Sequence, residues 1–272
     1  MIIRIVSGLV GLVALVPLMV IGGVWLQIGL TVVVVIGMWE FYRAFGDISL
    51  PHFLALALAV AYLAFIGTGY VFAGLWPLAF VVILLLVAYM AFVAVRRESF
   101  APHKAGIALF GLLYIAIMLS AVYLLREGHG MGVYVVWIAF ISAWGCDTGA
   151  YFTGLTMGKH KMAPVLSPKK TWEGAVGGTM VATILAAAYG FVLYNLGIVS
   201  FAYVLIFALT AFVCSIAGQI GDLAASAIKR SRKLKDYGNI MPGHGGVLDR
   251  FDSIIFTAPL AFVILTFVER LI

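Results

Sequence analysis

The chain has 272 residues, of which 64% are hydrophobic and only 10% are charged, and its formal net charge is +6. Soluble domains carry about 25% charged residues, so this composition excludes an ordinary soluble protein and favours an integral membrane protein. Long unbroken apolar runs, such as residues 80–95, lack the alternation of a β-barrel and therefore indicate an all-α fold.

Apolar runs of roughly 20 residues predict a polytopic protein with about nine transmembrane helices. In chain order these spans are about 5–23, 25–45, 52–67, 71–95, 105–125, 132–155, 174–196, 200–228 and 251–270, the first two being split at Gly22-Gly23. With a cytoplasmic N-terminus, 15 of the 17 basic residues fall on the inner side, and only Arg126 and Arg270 fall outside. This bias matches the positive-inside rule and predicts a multi-pass protein of the cell inner (plasma) membrane.

The distribution of polar residues divides the chain into two regions. Residues 1–100 are predicted to be an N-terminal scaffold of transmembrane helices, and residues 101–272 a transmembrane region that would hold any catalytic site. Two long loops of the second region, 156–173 and 229–250, are predicted to be cytoplasmic. Nearly all chemically unusual residues lie in or beside these loops.

Two acidic residues lie within predicted spans before the first long loop. Glu40 precedes Arg43 by three residues, which predicts an ion pair at the end of a helix. Asp147 lies roughly 12 Å from the cytoplasmic end of its span, counted at 1.5 Å per residue. A charge at this depth indicates a polar cavity, and the alternative is a hydrogen-bonded structural aspartate.

The first long loop ends in the sequence SPKKTWEG, residues 167–174. Lys169 and Lys170 directly precede a helix start predicted at Thr171, where helix N–H groups can hold a phosphate. Glu173 would then lie in the first helical turn. The alternative for the lysines of this loop is that they only anchor it at the membrane surface.

Asp222 lies inside the eighth predicted span, with Ser226 and Lys229 following at i+4 and i+7. This spacing places an acid, a hydroxyl and an ammonium on one face of a helix, as a track from a cavity to water. The alternative is an internal Asp222–Lys229 pair that only locks the helix end.

The second long loop ends in two carboxylates and a glycine pair. Asp249 and Asp252 are three residues apart at the start of the last span, and N-capping explains only one of them. Carboxylate oxygens favour a hard cation, most simply Mg²⁺. Gly245 and Gly246 permit a nest of N–H groups for an anion, although a tight turn is the simpler alternative. Together these features indicate phosphate chemistry at a lipid surface.

Residues 226–252 resemble the signature of the phosphatidate cytidylyltransferases, also called CDP-diacylglycerol synthases. The matching residues are Ser226, Lys229, Arg230, Lys235, Asp236, Gly238, Pro242, Gly243, His244, Gly245, Gly246, Asp249, Arg250 and Asp252. The SPKKTWEG sequence resembles the preceding loop of that family. Met241 departs from the expected branched or aromatic residue but is also apolar.

The resemblance implies transfer of a cytidylyl group from CTP to phosphatidate, giving CDP-diacylglycerol and pyrophosphate, with Mg²⁺ as cofactor and a second, monovalent cation left open. It implies catalytic roles for Asp222, Lys229, Arg230, His244, Asp249 and Arg250. Substrate contacts are expected from Ser226, Lys169, Lys170, Lys235, Gly245 and Gly246, and metal ligands from Asp222, Asp249, Asp252 and Asp147. His244 would position the substrate, since phosphatidate already carries a deprotonated oxygen.

The expected partners are CTP, phosphatidate and membrane lipids, with the active site facing the cytoplasm. A homodimer is left open, and no nucleic acid is expected. The alternative function is an ion-coupled membrane transporter with Asp147 and Asp222 as cation sites.

Overall fold

The computed structural model describes residues 2–69, 102–241, 243 and 245–271 of the chain. The predicted span 71–95 and the predicted site residue His244 lie outside these residues. The described part is overwhelmingly helical, which agrees with the predicted all-α class.

The described residues of the first part of the chain contain five α-helices. They are α1 (Ile2–Ile21), α2 (Gly23–Ala44), α3 (Leu50–Gly67), α4 (Pro102–Gly111) and, after a π-helical segment (Leu112–Ile117), α5 (Met118–Glu127). The predicted break between α1 and α2 is confirmed: Gly22 has φ +69°, a left-handed conformation that glycine adopts without strain.

The second part contains three short or medium α-helices and a π-helical segment, then two long helices, and ends with a short and a medium helix. They are α6 (Gly132–Val135), α7 (Trp137–Phe140), a π-helical segment (Ile141–Gly145), α8 (Cys146–Met157), α9 (Trp172–Asn195), α10 (Ala202–Ser231), α11 (Leu248–Phe251) and α12 (Ile254–Glu269).

Seven helical stretches within the described residues are long and apolar enough to cross a membrane. They are Gly23–Ala44, Leu50–Gly67, His103–Glu127, Gly132–Met157, Trp172–Asn195, Ala202–Ser231 and Leu248–Glu269. Each matches a span predicted from the sequence to within a few residues. The apolar part of α1, Val10–Ile21, is shorter. A multi-pass membrane architecture is therefore confirmed, while the count of nine spans stays a prediction.

The surface of α9 shows why these helices belong in lipid. Val176, Met180 and Ile184 follow one another at helical spacing and are 64%, 51% and 60% exposed. A stripe of large exposed apolar side chains is rare on water-soluble proteins, whereas hydrocarbon solvates it well.

The loop between α8 and α9 departs from the all-α expectation. It forms a two-stranded antiparallel sheet of β1 (Lys161–Ala163) and β2 (Ser167–Thr171), with Lys161 opposite Thr171 and Ala163 opposite Ser167. The hairpin satisfies backbone groups that an irregular loop would leave to water, and it fixes the backbone that carries the two lysines of β2.

The structure divides into two compact units, and the first comprises Met1–Tyr123 with Asp236–Arg250. Its polar side chains bond across helices: the Tyr42 hydroxyl donates to the Ala108 carbonyl at 2.8 Å, and the Tyr62 hydroxyl bonds Ser120 at 2.9 Å. Polar groups within a membrane protein need such internal partners because lipid offers none.

The second unit comprises Leu124–Lys235 with Phe251–Ile272. Helices α8 and α9 pack here with their backbones almost in contact, because their facing residues are small. A β-carbon added to Gly178 would lie 2.6 Å from the Cys146 carbonyl oxygen, and one added to Gly174 would lie 2.9 Å from the Ala150 carbonyl oxygen. This close approach, typical of small residues between membrane helices, brings Asp147 toward the start of α9.

We predict that Gly178→Ala destabilises the protein by about 1–3 kcal/mol, because the added methyl group meets backbone atoms of α8 that cannot move independently. Thermal unfolding in detergent micelles measures the effect. The control is Gly106→Ala, a helical glycine whose added β-carbon would have no atom of the described residues within 4 Å, apart from its own stretch of helix. Both substitutions carry the same gain in helix propensity. Equal melting temperatures for the two variants would contradict the tight α8–α9 contact.

Candidate active site

A cavity of about 260 Å³ in the second unit collects several of the predicted site residues. Asp147 reaches it from α8, and Asp222 with Gln219 from α10. Lys169 and Lys170 reach it from β2. The remaining lining comes from Ala150, Tyr151, Met162, Thr171, Gly174 and Ala175. Two acids and two lysines that are distant in the sequence thus line one polar cavity in an otherwise apolar helical frame.

Asp147 sits on the exposed side of α8, directly after the π-helical segment Ile141–Gly145. A π-helical turn inserts an extra residue and so changes the direction of the side chains that follow it, and such turns are frequent at functional sites. The hydropathy pattern of the sequence carries no signal for this insertion.

The carboxylate of Asp222 forms an ion pair with the Lys170 ammonium group. Both side chains are about one quarter exposed, at 24% and 25%. Asp222 also accepts a 3.5 Å hydrogen bond from the Ser226 hydroxyl, so the predicted i, i+4 contact on α10 forms. The alternative in which Asp222 only locks the helix end through Lys229 is wrong, because its carboxylate pairs with a lysine from the hairpin.

Lys229 continues the same stripe of α10 but lies near a different acid. Its Nζ is 3.9 Å from Oδ2 of Asp252, and both residues are 8% exposed. Oδ1 of Asp252 accepts a 2.8 Å hydrogen bond from the Ser253 N–H. The charges of Asp222, Asp147 and Lys229 all act on Asp252. Three acids and two lysines therefore form one electrostatically linked group in the second unit.

Lys170 and Lys229 supply positive charge that balances the acidic side chains of this group. Across the part of the chain that the structure describes, no three Asp, Glu, His or Cys side chains are grouped closely enough to hold a metal ion. The donor chemistry still suits a hard cation, since Asp147 and Asp222 line one cavity and their carboxylates offer oxygen ligands.

The start of α9 agrees with the sequence prediction. Thr171 is the N-cap residue, and its hydroxyl oxygen accepts a 3.1 Å hydrogen bond from the Gly174 N–H. Glu173 lies in the first turn and accepts from the Lys159 N–H at 3.1 Å and from Nδ1 of His160 at 2.6 Å. Glu173 therefore ties the two residues before β1 to the start of α9, a role that the sequence did not predict.

In the first unit, Asp249 closes the second long loop on itself. Its Oδ2 accepts hydrogen bonds from the Tyr237 N–H at 2.8 Å and from the Gly246 N–H at 3.0 Å, and the residue is 8% exposed. Gly245 has φ +86°, so it holds a turn that other residues adopt only with strain. The Gly246 N–H serves the loop's own carboxylate, and phosphate contact by the glycine pair stays a prediction.

Glu40 is a second carboxylate that holds this loop. It is 3% exposed and accepts from the Val247 N–H at 3.0 Å and the Leu248 N–H at 2.8 Å. The predicted ion pair with Arg43 is wrong, because these two backbone groups engage both oxygens of Glu40. The sequence carries no local signal for this role, because the partners are more than 200 residues apart.

The other predicted cations lie at the surface of their units. Arg230 is exposed and donates from Nη1 to the Leu234 carbonyl at 2.7 Å. Lys235 and Arg250 are also exposed. These three side chains are accessible to an anionic substrate, and their predicted substrate contacts stay predictions.

Comparison with known proteins places the chain in a family. The model of the cytidylyltransferase family matches residues 2–268. A phosphatidate cytidylyltransferase of Staphylococcus haemolyticus is 33% identical over 271 residues, covering 97% of this chain and 98% of that protein. One of Bacillus subtilis is 36% identical over 188 residues, covering 69% and 67%. With a family match across almost its whole length, the chain belongs to the cytidylyltransferase family.

Proposed function

We propose that this protein is a phosphatidate cytidylyltransferase, which transfers the cytidylyl group of CTP to phosphatidate and releases pyrophosphate. The observation that carries the proposal is the end-to-end similarity to a relative of that name, at 33% identity over 97% of the chain. The polar cavity with Asp147, Asp222, Lys169 and Lys170 supports it, because both substrates are phosphate anions.

The reaction exchanges one phosphate bond for another. An oxygen of the phosphatidate phosphate bonds to the α-phosphorus of CTP, and the bond from that phosphorus to the bridging oxygen of the β-phosphate breaks. Pyrophosphate leaves with the electron pair. The attacking oxygen is already deprotonated, so the protein's main task is to bring two anions together and stabilise the charge of the transition state.

Lysines of the second unit are suited to this task. Lys169 and Lys170 line the cavity, and Lys229 is buried on the stripe that begins at Asp222. Lys170 forms an ion pair with Asp222, and Lys229 lies beside Asp252. A bound triphosphate would compete with these carboxylates for the ammonium groups. Arg230, Lys235 and Arg250 are proposed to add contacts from the loop, with Ser226 and His244 positioning the substrate.

Mg²⁺ is proposed as the cofactor on the basis of ligand chemistry. Asp222, Asp252 and Asp147 would supply oxygen ligands from the second unit, and Asp249 is proposed as a further ligand. When bound, the ion screens phosphate charge and polarises phosphorus. If the lysines pair with a substrate instead, the cluster of carboxylates needs another counter-charge, which a divalent cation provides.

The proposed orientation places both long loops and the cavity mouth on the cytoplasmic side of the inner membrane. The asymmetry of the basic residues supports this, because the segments that hold 15 of the 17 then face inward. Neither the family nor the relatives support the alternative of an ion-coupled transporter. A homodimer stays an open prediction.

Lys170→Ala is predicted to lower cytidylyl transfer by about 10²–10³-fold, because it removes a cation that faces the cavity. Transfer is measured with purified protein, phosphatidate micelles and radiolabelled CTP, counting label in the lipid phase. Lys161→Ala is the matched control: it removes a lysine of the same hairpin, on β1, that does not line the cavity. If both variants retain the wild-type rate, Lys170 has no role in the reaction.

Chelation with EDTA is predicted to abolish transfer, and added Mg²⁺ to restore it. Asp222→Asn is predicted to raise the Mg²⁺ concentration needed for half-maximal rate by roughly 10-fold or more, because a charged oxygen ligand is lost. The control is Asp47→Asn, an exposed aspartate between α2 and α3. Full activity in EDTA would remove the metal from the proposal, and an unchanged Mg²⁺ requirement would remove Asp222 as a ligand.

A further inference from the structure

We propose that Glu40 is a positioning residue for the active site: it fixes the backbone of residues 246–248 and thereby the direction of the Asp249 carboxylate. The proposal rests on the proposed function, in which Asp249 is a ligand. Glu40 lies in α2, far from the segment that resembles the family signature, and the sequence analysis assigned it only an ion pair at a helix end.

Both oxygens of Glu40 are used to hold the loop. Oε1 accepts from the Val247 N–H at 3.0 Å, and Oε2 accepts from the Leu248 N–H at 2.8 Å. Leu248 begins the short helix α11, whose first N–H groups have no partner within the helix. The carboxylate therefore fixes both the position and the direction of the chain where it enters the last span.

Two glycines of the loop provide the space for this carboxylate. A β-carbon on Gly238 would overlap Oε1 of Glu40, and one on Gly246 would lie 2.5 Å from Oε2. Neither glycine has a positive φ, so each is required for space rather than for its backbone conformation. The loop thus closes around the Glu40 carboxylate from two sides.

The carboxylates of Asp249 and Glu40 accept hydrogen bonds from consecutive N–H groups of the same backbone segment. The Gly246 N–H donates to Asp249, and the next two N–H groups, of Val247 and Leu248, donate to Glu40. Nearer the start of the loop, the Tyr237 N–H donates to Asp249, and the neighbouring Gly238 lies against Glu40. Moving one carboxylate therefore moves the backbone that orients the other.

A purely structural role would not require a buried charge at this position. Burying a carboxylate costs several kcal/mol before its hydrogen bonds are counted. A neutral side chain such as Ser or Asn satisfies exposed helix N–H groups without that cost. A charged, two-oxygen acceptor instead gives strong and directional hydrogen bonds, which suits a group that must hold a second carboxylate in one orientation.

The experiment compares Glu40→Gln with the wild type in full-length protein, using two measurements. The amide introduced by this substitution presents a donor to one of the two loop N–H groups, so one hydrogen bond is lost while side-chain volume is kept. We expect hydrogen exchange of the peptide covering residues 237–248, without metal or substrate, to accelerate about 10-fold or more, with exchange elsewhere unchanged. We also expect the Mg²⁺ concentration for half-maximal transfer to rise roughly 10-fold or more.

The matched control is Glu127→Gln, which changes a partly exposed carboxylate at the end of α5 and is expected to match the wild type in both measurements. Faster exchange of the loop with an unchanged Mg²⁺ requirement would show a structural role only and would overturn the proposal. Unchanged exchange would also overturn it. If the wild type forms no CDP-diacylglycerol, the proposed function fails, whereas exchange still reports whether Glu40 holds the loop.

A second arm uses the glycine contacts. Gly238→Ala is expected to lower transfer at least 10-fold in the wild type, because its methyl group meets the Glu40 carboxylate, and to have little further effect in a Glu40→Ala background. Independent, multiplicative effects would contradict the inference that Gly238 is small because of Glu40.

Discussion

The structure depends on the cost of placing carboxylates within an apolar helical frame. An ionised group in such surroundings is stable only when a cation or several hydrogen-bond donors accompany it. In the second unit, lysines from other segments accompany Asp222 and Asp252. In the first unit, backbone N–H groups accompany Glu40 and Asp249. The two kinds of partner differ in how readily they are exchanged. A metal ion can replace a lysine at a carboxylate, and a phosphate can compete with the carboxylate for that lysine. A backbone amide stays where the fold places it.

This difference separates carboxylates that can change partners when a ligand binds from carboxylates that hold the backbone in place. The Lys170–Asp222 pair consists of two partly exposed side chains beside a cavity, so each partner can exchange the other for substrate or ion. Glu40 and Glu173 instead bind backbone N–H groups at the points where loops join helices. Each long loop is therefore held by a carboxylate that is not among the predicted catalytic residues.

The sequence predicts those features that depend on local spacing. Apolar run length places the spans, the order of Thr171 and Glu173 places the start of α9, and the i, i+4 spacing predicts the Asp222–Ser226 contact. Contacts between distant segments are not predicted, because nothing local distinguishes Glu40 as a partner of Val247 or Lys170 as a partner of Asp222. The π-helical segment before Asp147 is also missed, since one inserted residue hardly changes hydropathy.

The hairpin that carries Lys170 is fixed at its base by the Lys161–Thr171 pairing, by the hydrogen bond from the Trp172 N–H to the His160 carbonyl, and by Glu173. Its backbone is therefore anchored, while the lysine side chain keeps four rotatable bonds. In the proposed reaction, the Lys170 ammonium group would move from Asp222 to a phosphate by rotation about these bonds, on the picosecond-to-nanosecond scale of side-chain rotation. No slower closure of a lid is needed for that step, because the hairpin backbone stays in place and only the lysine side chain moves.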